Sequence, residues 1–114
     1  MKKIASILLL LGATAFAADT HVKGYLVDLA CGEKNASKAD FGATHTVKCM
    51  QMPDCTKSGY GVLTPNKKIV KFDKAGNVQA RAMLGAVKKE NNVRVDAIGQ
   101  MVGAELKVKQ LKLE

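Results

Sequence analysis

The chain reads as one small, mainly β domain carrying a few helices, and three observations lead there. Apolar and polar residues alternate over several runs of strand length, as in "HVKGYLVDLA" and "ELKVKQLKL". Turn-forming clusters, "PNK", "DKAGN" and "ENN", punctuate those runs. One stretch, residues 78–89, has helical spacing instead, with Ala80, Met83, Leu84 and Val87 at i, i+3, i+4 and i+7.

Taken in order, the chain opens on Met1-Lys2-Lys3, an apolar run from Ile4 to Leu11, and Ala15-Phe16-Ala17. A positive start, a short apolar core and a small-x-small site in that order predict a bacterial secretory signal peptide over residues 1–17. The run falls short of the roughly 20 apolar residues that span a bilayer, so removal is expected rather than anchoring. Asp28 stands where a lipobox before Cys31 would need leucine, which speaks against a lipoprotein. The expected product is a single periplasmic or secreted domain, residues 18–114, without stable membrane insertion.

Residues 21–30 predict a first strand, with Tyr25, Val27 and Leu29 on one face and Val22 and Leu26 on the other. Residues 32–43, "GEKNASKADFGA", read as a loop. A short helix is expected from Thr44 as its cap, which places His45 and Cys49 at i and i+4 on one face. Pro53 is expected to end it, leaving Cys55 in a turn. "YGVLT" and "KIVKF" form a hairpin around "PNK". Asn77 then caps the amphipathic helix, with Lys88-Lys89 at its negative end. Two strands follow, residues 93–102 and 105–113, joined at Gly103. Val93, Val95, Ala97, Leu106 and Val108 point inward. The alternation slips near Gln110, where a bulge fits.

Five strands, with a helical insertion after the first and a helix between the third and fourth, match a five-stranded OB-like barrel. Gly24 and Gly99 supply bend points for its long strands. The alternative architecture is an α+β sheet with a helix on one face.

"GYLVDLAC" (Gly24 to Cys31), "HTVKC" (His45 to Cys49) and "KSGYGVLT" (Lys57 to Thr64) follow one another in this chain. In this it resembles small exported bacterial domains of OB-like architecture, mostly uncharacterised. Those open with a strand ending in Asp-x-x-Cys, followed by a His/Cys helix and a Gly-rich hairpin. The gap from Cys49 to Cys55, which holds Met50, Met52 and Pro53, is longer than in that pattern. The resemblance implies a secreted binding domain.

The formal net charge is +8, and loss of Lys2 and Lys3 brings it to +6. The lysines alternate with apolar residues, as on the wet face of a strand. With aromatics reduced to Tyr25, Phe41, Tyr60 and Phe72, no nucleic-acid partner is expected.

The chemistry of the sequence lies in "HTVKCMQMPDC", residues 45–55, together with Cys31. Three cysteines in an exported chain leave a disulfide with a spare thiol, an intermolecular bridge, or a metal site. A Cys31–Cys49 bridge would tie the insertion to the first strand, and a Cys49–Cys55 bridge would clamp the proline turn. The metal alternative uses Cys31, His45, Cys49 and Cys55, with Met50 and Met52 as thioethers. Soft sulfur favours Cu(I), with Zn second. A third reading, thiol redox chemistry, has His45 lowering the pKa of Cys49, without a Cys-x-x-Cys to support it. His21 reads as a residue of the mature terminus. Asp28, Asp54, Asp73 and Asp96 are scattered, and no catalytic constellation is legible. The expected function is therefore non-catalytic binding, either of a soft metal or, in a disulfide-stabilised module, of a peptide, glycan or anionic ligand on the face from Tyr60 to Phe72.

Overall fold

The computed structural model describes residues 18–114, so the expected signal peptide, residues 1–17, lies outside the described residues. The elements are β1 (Thr20–Asp28), α1 (Leu29–Asn35), α2 (Phe41–Thr44), α3 (Val47–Met50), α4 (Pro53–Ser58), β2 (Tyr60–Leu63), β3 (Ile69–Phe72), α5 (Lys74–Ala86), β4 (Arg94–Val102) and β5 (Glu105–Leu113). The five strands form one sheet that closes on itself in the order β1-β2-β3-β5-β4. One helix stands between β3 and β4, as the sequence predicts, while the insertion between β1 and β2 holds four helical segments where one short helix was expected.

Closure depends on β1 serving two neighbours. Thr20 to Tyr25 pair with β4, and Tyr25 to Asp28 pair with β2. The change of partner needs a close approach at Gly24, where a Cβ would stand 2.1 Å from the Leu63 carbonyl oxygen. The ring is completed by a short parallel contact of β3 with β5, Lys71 with Glu105 and Phe72 with Leu106. In β4–β5 the register steps from Ile98↔Gln110 to Gly99↔Val108, so Lys109 is an extra residue on β5. This bulge explains the slipped alternation: Leu106 and Val108 face inward before it, and Leu111 faces inward after it. Leu113, on the same new parity, is 46% exposed at the strand end.

The interior is filled by Val22 and Leu26 of β1, Tyr60 and Val62 of β2, Phe72 of β3, Val95 and Ala97 of β4, and Leu106, Val108 and Leu111 of β5. Ala80 and Leu84 of α5 close the core on one side, and Val47 and Met50 of α3 join it from the insertion. Val27 faces outward from the ring yet is fully buried, because α1 lies over it, with Gly32 packed against its side chain.

Several local expectations change. β1 ends at Asp28, not Ala30, because Asp28 caps α1 with a side-chain bond from the Cys31 amide. Residues 32–43 accordingly contain the end of α1 and the start of α2 rather than a loop throughout. The single helix from Thr44 breaks at His45, whose backbone is extended (φ −65°, ψ 130°). Thr46, not Thr44, caps the next helix, accepting from the Cys49 amide at 3.0 Å. The break is held from afar: Thr46 bridges to Asn91, and the Val47 amide donates to the Glu90 carbonyl at 2.8 Å. Pro53 starts α4 instead of ending a helix, since a first-turn position needs no amide hydrogen. That puts Cys55 in a helix rather than a turn. Helix α5 begins four residues early, because Asp73 caps it through the Gly76 amide at 3.0 Å. Asn77 instead accepts from the Tyr60 amide at 2.8 Å.

Two glycine substitutions separate close packing from open surface. At Gly99 an added Cβ would lie 1.9 Å from the Lys107 carbonyl oxygen, beside the bulge, whereas at Gly85 nothing stands within 4 Å. In chemical denaturation Gly99→Ala is expected to lose about 1–3 kcal/mol or more. Gly85→Ala, exposed on α5, is expected to gain roughly 0.5–1 kcal/mol.

Candidate functional site

Asp28 is the last residue of β1, paired with Tyr60 of β2, and its side chain is wholly buried. One carboxylate oxygen, Oδ2, accepts the Cys31 amide at 2.9 Å. The other, Oδ1, lies 2.6 Å from Nε2 of His45, itself buried. An ionised carboxylate only accepts, so the proton of this bond sits on Nε2. The Cys55 thiol also hydrogen-bonds to Asp28. Helices α1 and α4 are joined beside this point: the Leu29 amide donates to the Gly59 carbonyl at 2.9 Å, and the Ala30 amide to Ser58 Oγ at 3.0 Å. Cys31 on α1 and Cys55 on α4 are thereby brought together, and the ligand atoms of Asp28, Cys31 and Cys55 all lie within 4.8 Å of one another.

The cluster is electrostatically biased. Burial by itself would raise Asp28, but the hydrogen bonds from His45, the Cys31 amide and Cys55, with the charge of His45, hold it below the ordinary carboxylate value. Burial and then the Asp28 charge push the Cys31 thiol up. Burial, the hydrogen bond to Asp28 and the charge of Asp28 push Cys55 up to about 12. Without a cation the pocket therefore holds one negative charge and two thiols. A cation among them would reverse the penalty on the thiolates.

The other expected ligands are placed differently. His45 lies on the extended link between α2 and α3, its ring against Phe41 with centroids 4.6 Å apart. Its reach into the cluster is through Asp28. Cys49, half-buried on α3, lines an open groove with Cys31, His45, Phe41 and Thr44, but stands outside the three-residue group. Met50 is sealed in the core, and its carbonyl accepts the Tyr60 hydroxyl at 2.7 Å. Met52 is 53% exposed at the start of α4. All three thiols are free, and the pair drawn together is Cys31 with Cys55, neither of the two pairings weighed from sequence. His21 sits in β1, its Nδ1 2.9 Å from Asp96. Seven residues of strand, about 23 Å, separate it from Asp28. Tyr60 to Leu63 are buried throughout, so the hairpin face offers a ligand little beyond its turn and Lys71.

Asp28 is the site residue that sequence reasoning missed. The available signal was an aspartate three residues before a cysteine at the end of an apolar strand, the pattern of a helix cap whose third residue is that cysteine.

These shifts set the pH response of the metal-free, reduced protein. Asp28 titrates lower when folded, so its contribution is complete above the ordinary 3.8 and is lost as pH falls through its depressed folded value. Cys55 titrates higher when folded, so its contribution is complete below 9.0 and is lost as pH rises toward about 12. Denaturation midpoints across pH are expected to fall at both ends. Cys55→Ala should flatten the alkaline limb, and Asp28→Asn the acid limb. A Cys55→Ala alkaline limb parallel to wild type would contradict the assignment.

Comparison with family models, with curated proteins and with solved structures finds no match to this chain.

Proposed function

We propose that the chain is an exported, non-catalytic binding protein of OB-like architecture that holds one transition-metal ion at Asp28, Cys31 and Cys55. The observation that carries this reading is the convergence of two sulfurs and a buried carboxylate within 4.8 Å. Two thiolates bound tetrahedrally to one ion at 2.3 Å would lie about 3.8 Å apart, so the sulfurs need to approach by about 1 Å at most. The strand order, with a helix between the third and fourth strands, supports the OB-like architecture. The three-part pattern of residues 1–17 supports export.

The donor set favours Zn²⁺ over the Cu(I) that the methionines first suggested. Asp28 adds a hard oxygen to the two sulfurs, while Met50 fills the core and Met52 lies in the open. His45 acts as a positioning residue, fixing the carboxylate through Nε2. Cys49, on the groove that Cys31 also lines, is the candidate fourth donor. Raised thiol pKa values leave little thiolate at neutral pH and slow its attack, which supports binding over rapid thiol catalysis.

Titration of the reduced protein against a chromophoric chelator is expected to give one Zn²⁺ per chain. Cys31→Ser should abolish binding, and Met52→Ala should leave it unchanged. His45→Gln should weaken it about 10–100-fold, the usual cost of losing the partner of a ligand. Co²⁺ should give the charge-transfer absorption of a thiolate complex. Failure of the reduced wild type to bind either ion would sink the reading.

A further inference from the structure

The same geometry gives the two cysteines a second chemistry. Their sulfurs lie within 4.8 Å, on helices tied together by the Leu29–Gly59 and Ala30–Ser58 hydrogen bonds. A disulfide needs about 2.05 Å, a distance within reach of side-chain rotation when the backbones are already joined. Cys31 is half-buried and lines the groove, so it meets an external reagent, while Cys55 lies behind it, buried. Cys49 shares the groove but not the cluster. This is an outer thiol backed by an inner one.

We propose that Cys31 and Cys55 form a reversible dithiol–disulfide pair, and that making the bond closes the metal site. The oxidant is a low-molecular-weight disulfide, RSSR. The Cys31 thiolate attacks one of its sulfurs, forming a protein–SR bond and releasing RS⁻, which takes up the proton that Cys31 lost. The Cys55 thiolate then attacks Sγ of Cys31, forming the intramolecular bond and releasing the second RS⁻, which takes the Cys55 proton. Two protein thiols are oxidised and one RSSR is reduced to two RSH. The bond consumes the two sulfur ligands of the cluster and leaves Asp28 with at most Cys49, too few donors for the ion. The closing of the site rests on the metal reading above; the disulfide itself does not.

Reduced, metal-free protein is incubated with oxidised glutathione, alkylated, and digested with trypsin and a protease that cuts before aspartate, which separates Cys49 from Cys55 at Asp54. The expected product links the Cys31 and Cys55 peptides, with Cys49 alkylated or carrying one glutathione. With free Zn²⁺ at roughly ten times its Kd the link should form about 10-fold more slowly, because only that fraction of sites stands open. The oxidised protein should bind no Zn²⁺, and reduction should restore binding. A link to Cys49, or three alkylated thiols at equilibrium, overturns the pair. A Cys31–Cys55 link in a protein that binds no Zn²⁺ when reduced overturns the metal reading and with it the closing of the site. A link in a protein that holds Zn²⁺ equally well in both states overturns the closing alone.

Discussion

The buried carboxylate of Asp28 is the constraint on which the upper half of this molecule depends. An ionised group taken out of water costs several kcal/mol unless its lone pairs are satisfied. Here the partners come from separate segments: the Cys31 amide of α1, the His45 ring between α2 and α3, and the Cys55 thiol of α4. Each segment is too short to hold a helix by itself. Gathered on one charge at the end of β1, they become a folded insertion with a defined face. The groove, the thiol pair and the position of His45 all follow from meeting that single demand.

The closed sheet supplies the rigid base for this arrangement. β1 pairs with β4 over its first part and with β2 over its second, and Asp28 is its last paired residue, so backbone hydrogen bonds fix the position of its carboxylate. The insertion returns the support by burying Val27 and sending Met50 into the core. Tyr60 joins the two layers, since its ring belongs to the core and its hydroxyl donates to the Met50 carbonyl. Site and fold are therefore not separable modules here, which is why the metal-binding and stability consequences of one substitution need independent readouts.

The strands were legible in the sequence wherever alternation and turn residues agreed. β5 has the predicted bounds, the hairpin stands where "PNK" puts it, and the parity slip at Gln110 marks a real bulge one residue away at Lys109. The helical insertion was not legible, for three physical reasons. α1 exists because a cap side chain outweighs a polar, glycine-containing composition. The break at His45 is enforced by Glu90 and Asn91, far along the chain, which no local pattern reports. Pro53 carries opposite meanings at the end and at the start of a helix, and the neighbouring residues do not choose between them. Cys31 and Cys55 stood out by residue type alone. Asp28 did not, because an aspartate becomes a site residue only through what folds around it.

The pairing of β1 with β4 has a consequence for how the chain reaches this state. Thr20, near the start of the described chain, finds its partner at Gly99, and the last strand must also arrive before the ring can join β3 to β5. Contacts of such long sequence separation form late, because loop closure must come before they give any return. A growing chain that lacks its final strands has no closed core to collapse onto. The native core is therefore completed only when the last strand is available, so a chain cut short before β5 keeps its apolar face uncovered.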